Sequence, residues 1–339
     1  VANQRAVAAA HGRLDPSRDR REDRLVIVTR ADLEASLATL RAEIDDPRAG
    51  ILGPRSIAWR IGGDLAVFLG GGRAALLQLA HPMIAYAIDQ HSNTRADVTG
   101  RFQRTFRHVF TMVFGDLDDA FGTARRVHAI HSRIRGAIPA RVGGWAAGTP
   151  YHANDAEALR WVHATLVDTT LLVRERLDGP IPEAIKDRYV IEMNRFAALF
   201  GIPPALRPRS WFAHDAYMRA MLTSDRLAVA PCAREMARFL IGRGGAQQPP
   251  LGRITEALTA AMLPPRLVEQ FELRSTARRA RIGLGAFGAI YRRVPHAVRG
   301  IPARSEAQRR IAGLPPSRLG AWAERGLFGL AQRATGAHR

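Results

Sequence analysis

The sequence predicts an all-α protein, a single large multi-helix domain, on three observations. Alanine and leucine dominate its apolar residues, which are 47% of 339, while aromatics stand at only 7%; that mix favours helices over strands. Apolar positions recur at helical spacing along nearly the whole chain, with no alternating stretch long enough for a useful strand. Capping side chains, glycines and prolines fall where those helices must start and stop. No repeat of solenoid period is present, and the length suffices for one large core.

The elements follow in order. Residues 1–23 are polar and carry Asp15-Pro16-Ser17 with an Arg/Asp cluster, the composition of a mobile N-terminal arm. The helical domain is placed at 24–300, and a basic, Pro-broken C-terminal extension at 301–339, with one short helix near 316–331. Thr29 N-caps a helix over 31–44, which Asp45-Asp46-Pro47 stops. A Gly/Pro loop covers 48–54. A helical run from Ser56 passes through 64–69, is interrupted by Gly70-Gly71-Gly72, and resumes near Arg73; Pro82 kinks or ends it. Asp97 or Thr99 caps a helix that reaches Phe114. Gly115 ends it, Asp116 caps the next over 117–135, and Gly136 closes that one. Residues 136–154 form a loop of Gly, Pro and Trp145. Asp155 opens a long helix to Leu177, and Pro182 opens another to Phe200, stopped by Gly201-Ile202-Pro203-Pro204. Further helices are expected at 210–223, 226–242, 252–262 and 265–291.

The formal net charge of +19 attracts anions at long range and raises nucleic-acid binding as one reading. Lys186 is the only lysine, so 49 of the 50 basic residues are arginine, and they spread from Arg5 to Arg339. That is the signature of GC-rich coding sequence and not of one selected patch, so no nucleic-acid partner is expected. Cys232 is the sole cysteine, which excludes an intrachain disulfide and any cysteine-built zinc or iron–sulfur site. A reducing, cytoplasmic setting fits that usage. The N-terminal stretch has no long apolar h-region. Apolar runs such as 65–69 and 74–79 fall far short of the ~20 residues a span needs. A soluble protein with no transmembrane segment is therefore expected.

Three helices carry polar residues where helical cores usually do not. Arg101, Arg104, Thr105 and His108 follow i, i+3, i+4, i+7 spacing and share one face, beside an apolar face of Phe102, Phe106, Val109, Phe110 and Val113. Taken alone, that polar face reads equally as a solvated basic surface. In the next helix Ala124, Val127, His131 and Ile134 form an apolar stripe holding one imidazole, with His128 one turn before it and Arg135 one turn after. A lone histidine in such a stripe is more often a hydrogen-bonded core residue than a ligand. Arg135 and the arginines of the preceding helix are what favour the ligand, since they can neutralise a bound acid such as a haem propionate. In the third helix His163 borders a stripe of Leu159, Val162, Leu166, Thr169 and Val173; it is either a core histidine bonded to a carbonyl or a pocket residue.

The blocks GGGRAALLQLAHP (70–82), RFQRTFRHVF (101–110), RVHAIHSRIRG (126–136), WVHATLVDT (161–169) and RFAALFGIPP (195–204) resemble, in order and spacing, the rubber-oxygenase/MpaB-like family that contains latex-clearing protein. The similarity covers roughly residues 50–300 and is closer to the family's bacterial branch. The resemblance implies haem b, with His131 of the block H-x-x-x-R as axial iron ligand and Arg135 following it. It implies a distal arginine and threonine at Arg101 and Thr105, where latex-clearing protein has a lysine between them; this chain has Arg104 there. An arginine side chain stays protonated and is a poor ligand. The iron is therefore expected to be five-coordinate or to hold water on that side, with Arg104 donating hydrogen bonds to dioxygen or peroxide. His128 stands where the family has an arginine, and His163 matches a pocket histidine. An apolar slot between long central helices with an imidazole on one wall suits a flat macrocycle, and that imidazole needs an acceptor for its other N–H.

The implied activity is that of a haem-dependent oxygenase acting on a small, apolar, possibly isoprenoid-type substrate with dioxygen or peroxide. The alternatives are a haem-binding or sensing protein without turnover, and a basic helical nucleic-acid binder. Other motifs weigh less. Gly70-Gly71-Gly72-Arg73 has neither a preceding strand nor a Gly-Lys-Ser/Thr, so it reads as close helix packing and not as a phosphate loop. His81, Asp89 and His91 make a conceivable nonhaem metal set. Cys232 reads as a small buried residue.

Overall fold

The structure is a computed structural model that describes residues 25–91, 98–243, 250–274, 277–295 and 298–317. The arm at 1–23, the alternative cap Asp97 and nearly all of the helix expected at 316–331 lie outside the described residues. Among the described residues there are fourteen α-helices and one two-stranded sheet.

Local chemistry sets the helix starts. Thr29 opens α1 (Arg30–Ala42) with a reciprocal capping box: its hydroxyl accepts from the Asp32 N–H, and the Asp32 carboxylate accepts from the Thr29 N–H. Ser56 caps α2 (Ile57–Gly62). Two 3₁₀ turns after Asp64 lead into α3 (Gly71–Leu79), and α4 (Pro82–His91) starts at the proline. α5 (Val98–Phe114) is followed by α6 (Leu117–His131), whose N-cap Asp116 accepts from the Asp119 N–H. Asp155 does the same through the Ala158 N–H for α7 (Ala156–Asp178). Then come α8 (Glu183–Ala198), α9 (Trp211–Thr223), α10 (Pro231–Leu240), α11 (Pro250–Met262), α12 (Pro265–Gln270), α13 (Ala277–Tyr291) and α14 (Pro302–Ile311).

Several boundaries correct the sequence reading. The helix expected over 117–135 ends at His131. Ser132 takes the C-cap, and the chain enters β1 (Arg135–Ala137), antiparallel to β2 (Pro150–His152) with Arg135 opposite His152. Arg135 therefore stands on a strand, not one helical turn beyond His131. The run 265–291 is two helices, because the chain turns at Glu272, a non-glycine residue with φ of 55°. The helix expected from 226 begins at Pro231. α14 lies in the C-terminal extension and was not anticipated; Ile301 and Ala307 are buried in the same core as α1, α2 and α5.

The longest helix, α7, lies at the centre. Buried residues occur all around it, including Trp161, Val167, Leu171 and Val173, as expected for a helix packed on every side. It contacts α2, α3, α8, α9 and α13. The Trp161 indole N–H donates to the Leu77 carbonyl at 3.0 Å and ties α7 to α3.

The glycine run packs helices closely, as the sequence reading preferred. A Cβ on Gly72 would stand 2.1 Å from the Thr259 hydroxyl of α11, and one on Gly70 would stand 2.4 Å from the Thr169 methyl of α7. Gly72→Ala is expected to cost about 1–3 kcal/mol, the usual penalty for overpacking. Adding Thr259→Ala should return part of that loss. Urea unfolding midpoints of the two variants check both statements; a Gly72→Ala midpoint equal to wild type would show that this contact does not limit the packing.

Candidate functional site

α5 and α6 form a helical hairpin across Gly115 and Asp116. The apolar side of α5 supplies one wall of a cavity otherwise lined by α2, α3, α7, α8 and α10, with Val67 and Ile88 at its edges. The cavity has a volume of about 280 Å³. Val109, Val113, Phe106, Phe110 and Phe114 line it from α5, and Gly70, Gly71, Ala74 and Ala75 from α3. The phenylalanines are fixed by mutual ring contacts, with Phe106 and Phe110 centroids 5.6 Å apart and Phe68 wedged behind them at 5.5 and 5.7 Å. The small residues of α3 leave the opposite wall open, and that asymmetry creates the space.

Few polar groups reach the cavity. Gln78 lines it from α3, Thr105 from α5, Thr169 and Thr170 from α7, and Tyr189 from α8. Burial raises the Tyr189 hydroxyl above its ordinary value, and it is hydrogen-bonded to Thr170. Behind Thr169 lies a charged cluster. Arg73 is buried, and its guanidinium donates to the Met262 carbonyl at 2.8 Å, to the Thr169 hydroxyl at 2.6 Å and to the Asp168 carboxylate at 2.7 Å. The sequence reading missed this cluster. A single arginine inside the apolar run of α3 was the only trace of it.

The structure distributes the expected site residues as follows. Arg101 and Arg104 lie on α5, one and two turns from its start, and their side chains fall outside the described ones. Thr105 is on the cavity wall. His131 is the last residue of α6, half-buried, with its Nδ1 shielded from solvent, and it is not among the residues lining the cavity. Counting ~1.5 Å per residue back along each arm of the hairpin, His131 is level with Gly100 and Arg101, about one turn beyond Thr105. His128 is held by the Val28 carbonyl, 3.0 Å from its Nε2. Arg135 is exposed on β1. His163 is buried; its Nε2 donates to the Met193 carbonyl at 3.0 Å, and its ring stacks on Phe196. Met193 and Phe196 line the cavity from their other side, so His163 backs the wall and lines a separate cavity.

A family model described as ER-bound oxygenase mpaB/B'/Rubber oxygenase, catalytic domain, matches residues 59–299. The chain belongs to this family. Comparison with curated proteins finds no match, and comparison with solved structures finds none. The oxygenase domain runs from α2 into the segment before α14, and so contains nearly all of the cavity wall and every expected site residue.

In this oxygenase domain the conceivable nonhaem set does not assemble. His81 is buried between α3 and α4 with its ring centroid 5.2 Å from that of Trp145, whereas His91 is exposed at the far end of α4. Among the described residues no group of three His, Cys, Asp or Glu side chains is placed to hold a metal ion. No helix of the described residues is long and apolar enough to cross a membrane.

Burial depresses three imidazoles of the domain: His81 to about 3, His163 to about 4 and His214 to about 4. All are neutral when folded and titrate near 6.5 when unfolded. The unfolded chain binds the extra protons, so stability is full above about pH 6.5 and declines as pH falls from there towards 4. Urea unfolding at about pH 7 and about pH 5 should show a lower midpoint at the acid value. An unchanged midpoint would mean that these rings are not held neutral.

Proposed function

We propose that this oxygenase-family domain is a haem b-dependent oxygenase that acts on a small apolar substrate of isoprenoid type with dioxygen or peroxide. The observation that carries the reading is the apolar cavity between the central helices, with Thr105 at its wall and the turns bearing Arg101 and Arg104 next along α5. Cofactor and ligand pockets commonly measure about 300–1,000 Å³ with a few convergent polar groups; this cavity, at about 280 Å³, is at the small end of that range.

The α5–α6 hairpin and the strand after it carry the side-chain types that haem binding needs, with His131 outside the cavity lining and about one turn beyond Thr105. His131 would hold the iron through a ring nitrogen, and Arg101 and Arg135 would counter the propionates. When bound, haem supplies the activation of dioxygen. The chain supplies the rest. Arg104 and Thr105 would donate hydrogen bonds to the oxidant. The phenylalanines of α5 would exclude water and hold the apolar chain of the substrate. His163 and His128, each tied to a carbonyl, would position the cavity wall and the α6 end.

The test is oxygen consumption by haem-loaded protein given a polyisoprenoid alkene. Uptake that depends on the alkene, and falls at least about tenfold when Val109→Trp fills the cavity, is expected. Haem loading without any alkene-dependent uptake would favour a binding or sensing protein over an enzyme.

A further inference from the structure

A second cavity, of about 310 Å³, lies between α7, the turn before α9, and α9 itself. Its character is the reverse of the first. Arg160, Arg207 and Arg209 line it together with His163, His214 and Tyr217, and no carboxylate does.

These guanidinium groups are poorly compensated. Arg207 is half-buried, its Nε donating to the Ile202 carbonyl at 2.8 Å and one terminal nitrogen to the Ser36 hydroxyl at 3.0 Å. Neither Arg207 nor Arg209 has a carboxylate within 4.0 Å among the described residues; Glu43 acts on Arg207 from farther off and is paired with Arg195. Arg160 has only a long contact with Glu157, at 3.4 Å, and its guanidinium carbon lies over the Tyr217 ring, 3.8 Å from the centroid. His214 is 1% exposed, and its Nε2 is buried with no hydrogen-bond partner. Partly desolvated cations and a buried unsatisfied ring nitrogen are costly unless something completes them. Burial keeps both lining imidazoles neutral, so they add no repulsion between charges; His163 spends its one N–H on the Met193 carbonyl, which leaves His214 as the imidazole donor.

We infer that this cavity binds a phosphoryl oxyanion, either free phosphate or the head of a small phosphate monoester. An oxyanion there would accept from Arg160, Arg207 and Arg209 and from the Nε2–H tautomer of His214, supplying the missing negative charge. The volume leaves room for a few carbon atoms beside the phosphoryl group. The site is independent of the haem reading. It shares with the apolar cavity only the wall made by His163 and Phe196.

The test titrates the full chain with inorganic phosphate at constant ionic strength in chloride, following Tm and the heat of binding. A saturable rise in Tm is expected, as for any ligand that binds only the folded state. Arg207→Gln should weaken phosphate by about tenfold or more, the scale of one charge-assisted contact. Arg209→Gln should weaken it too, and because Arg209 is exposed its loss leaves the fold intact. Phenyl phosphate binding tighter than phosphate would identify a monoester site; equal binding would identify a site for the free ion. A response that never saturates, or one unchanged in both arginine variants, would overturn the inference.

Discussion

Asp168→Ala is expected to lower the stability of the fold by about 3–5 kcal/mol, the cost of leaving one member of a buried ion pair alone. Asp168 is the anionic partner of Arg73, and both side chains are largely withdrawn from water, at 16% and 5% exposure. With the carboxylate gone, Arg73 keeps the Thr169 hydroxyl and the Met262 carbonyl but loses its counter-charge. Removing both charges is a different matter. A chain carrying Arg73→Met and Asp168→Leu should recover much of the loss, because well-packed apolar residues often replace a buried pair at little cost. Urea unfolding of Arg73→Met, Asp168→Leu and the double variant measures the coupling. Additive losses would show that the pair does not act as a unit. Thr169 and Thr170 line the cavity, so the same variants report on its shape.

His131→Ala has the largest effect expected on activity. Loss of outer partners around a metal ligand already costs about 10–100-fold, so removal of the proposed ligand should cut alkene-dependent oxygen uptake by more than about 100-fold. The fold should survive. His131 is half-buried at the last position of α6, where alanine is well tolerated and Ser132 retains the cap. Far-UV circular dichroism equal to wild type would confirm that the loss is chemical. Full activity in this variant would move the ligand elsewhere.

The helix starts were legible because each depends on one side chain and its neighbours: Thr29, Asp116 and Asp155 cap where the sequence placed them. Helical spacing alone assigned Thr105 to a face with Arg101 and Arg104; that this turn borders a cavity came only from the fold. What depended on distant contacts was not legible. β1 and β2 are three residues each, too short for alternation to mark, and their pairing decided where α6 ends. Arg73 and Asp168 are 95 positions apart, and nothing local in either segment announces a partner. His163 had two open readings, and only the position of the Met193 carbonyl on α8 shows what its ring bonds. The second cavity was invisible for the same reason. Arg160 and Arg207 come from different helical segments, and in a chain with 50 basic residues neither stands out.

The most direct measurement is a titration of the apo chain with haemin, read as the Soret absorption and as bound iron per chain. The account predicts saturation at one haem per wild-type chain and no specific binding to His131→Ala, with binding restored in part when imidazole is added to the variant. Equal haem binding by the two proteins, or no binding by wild type, would contradict it.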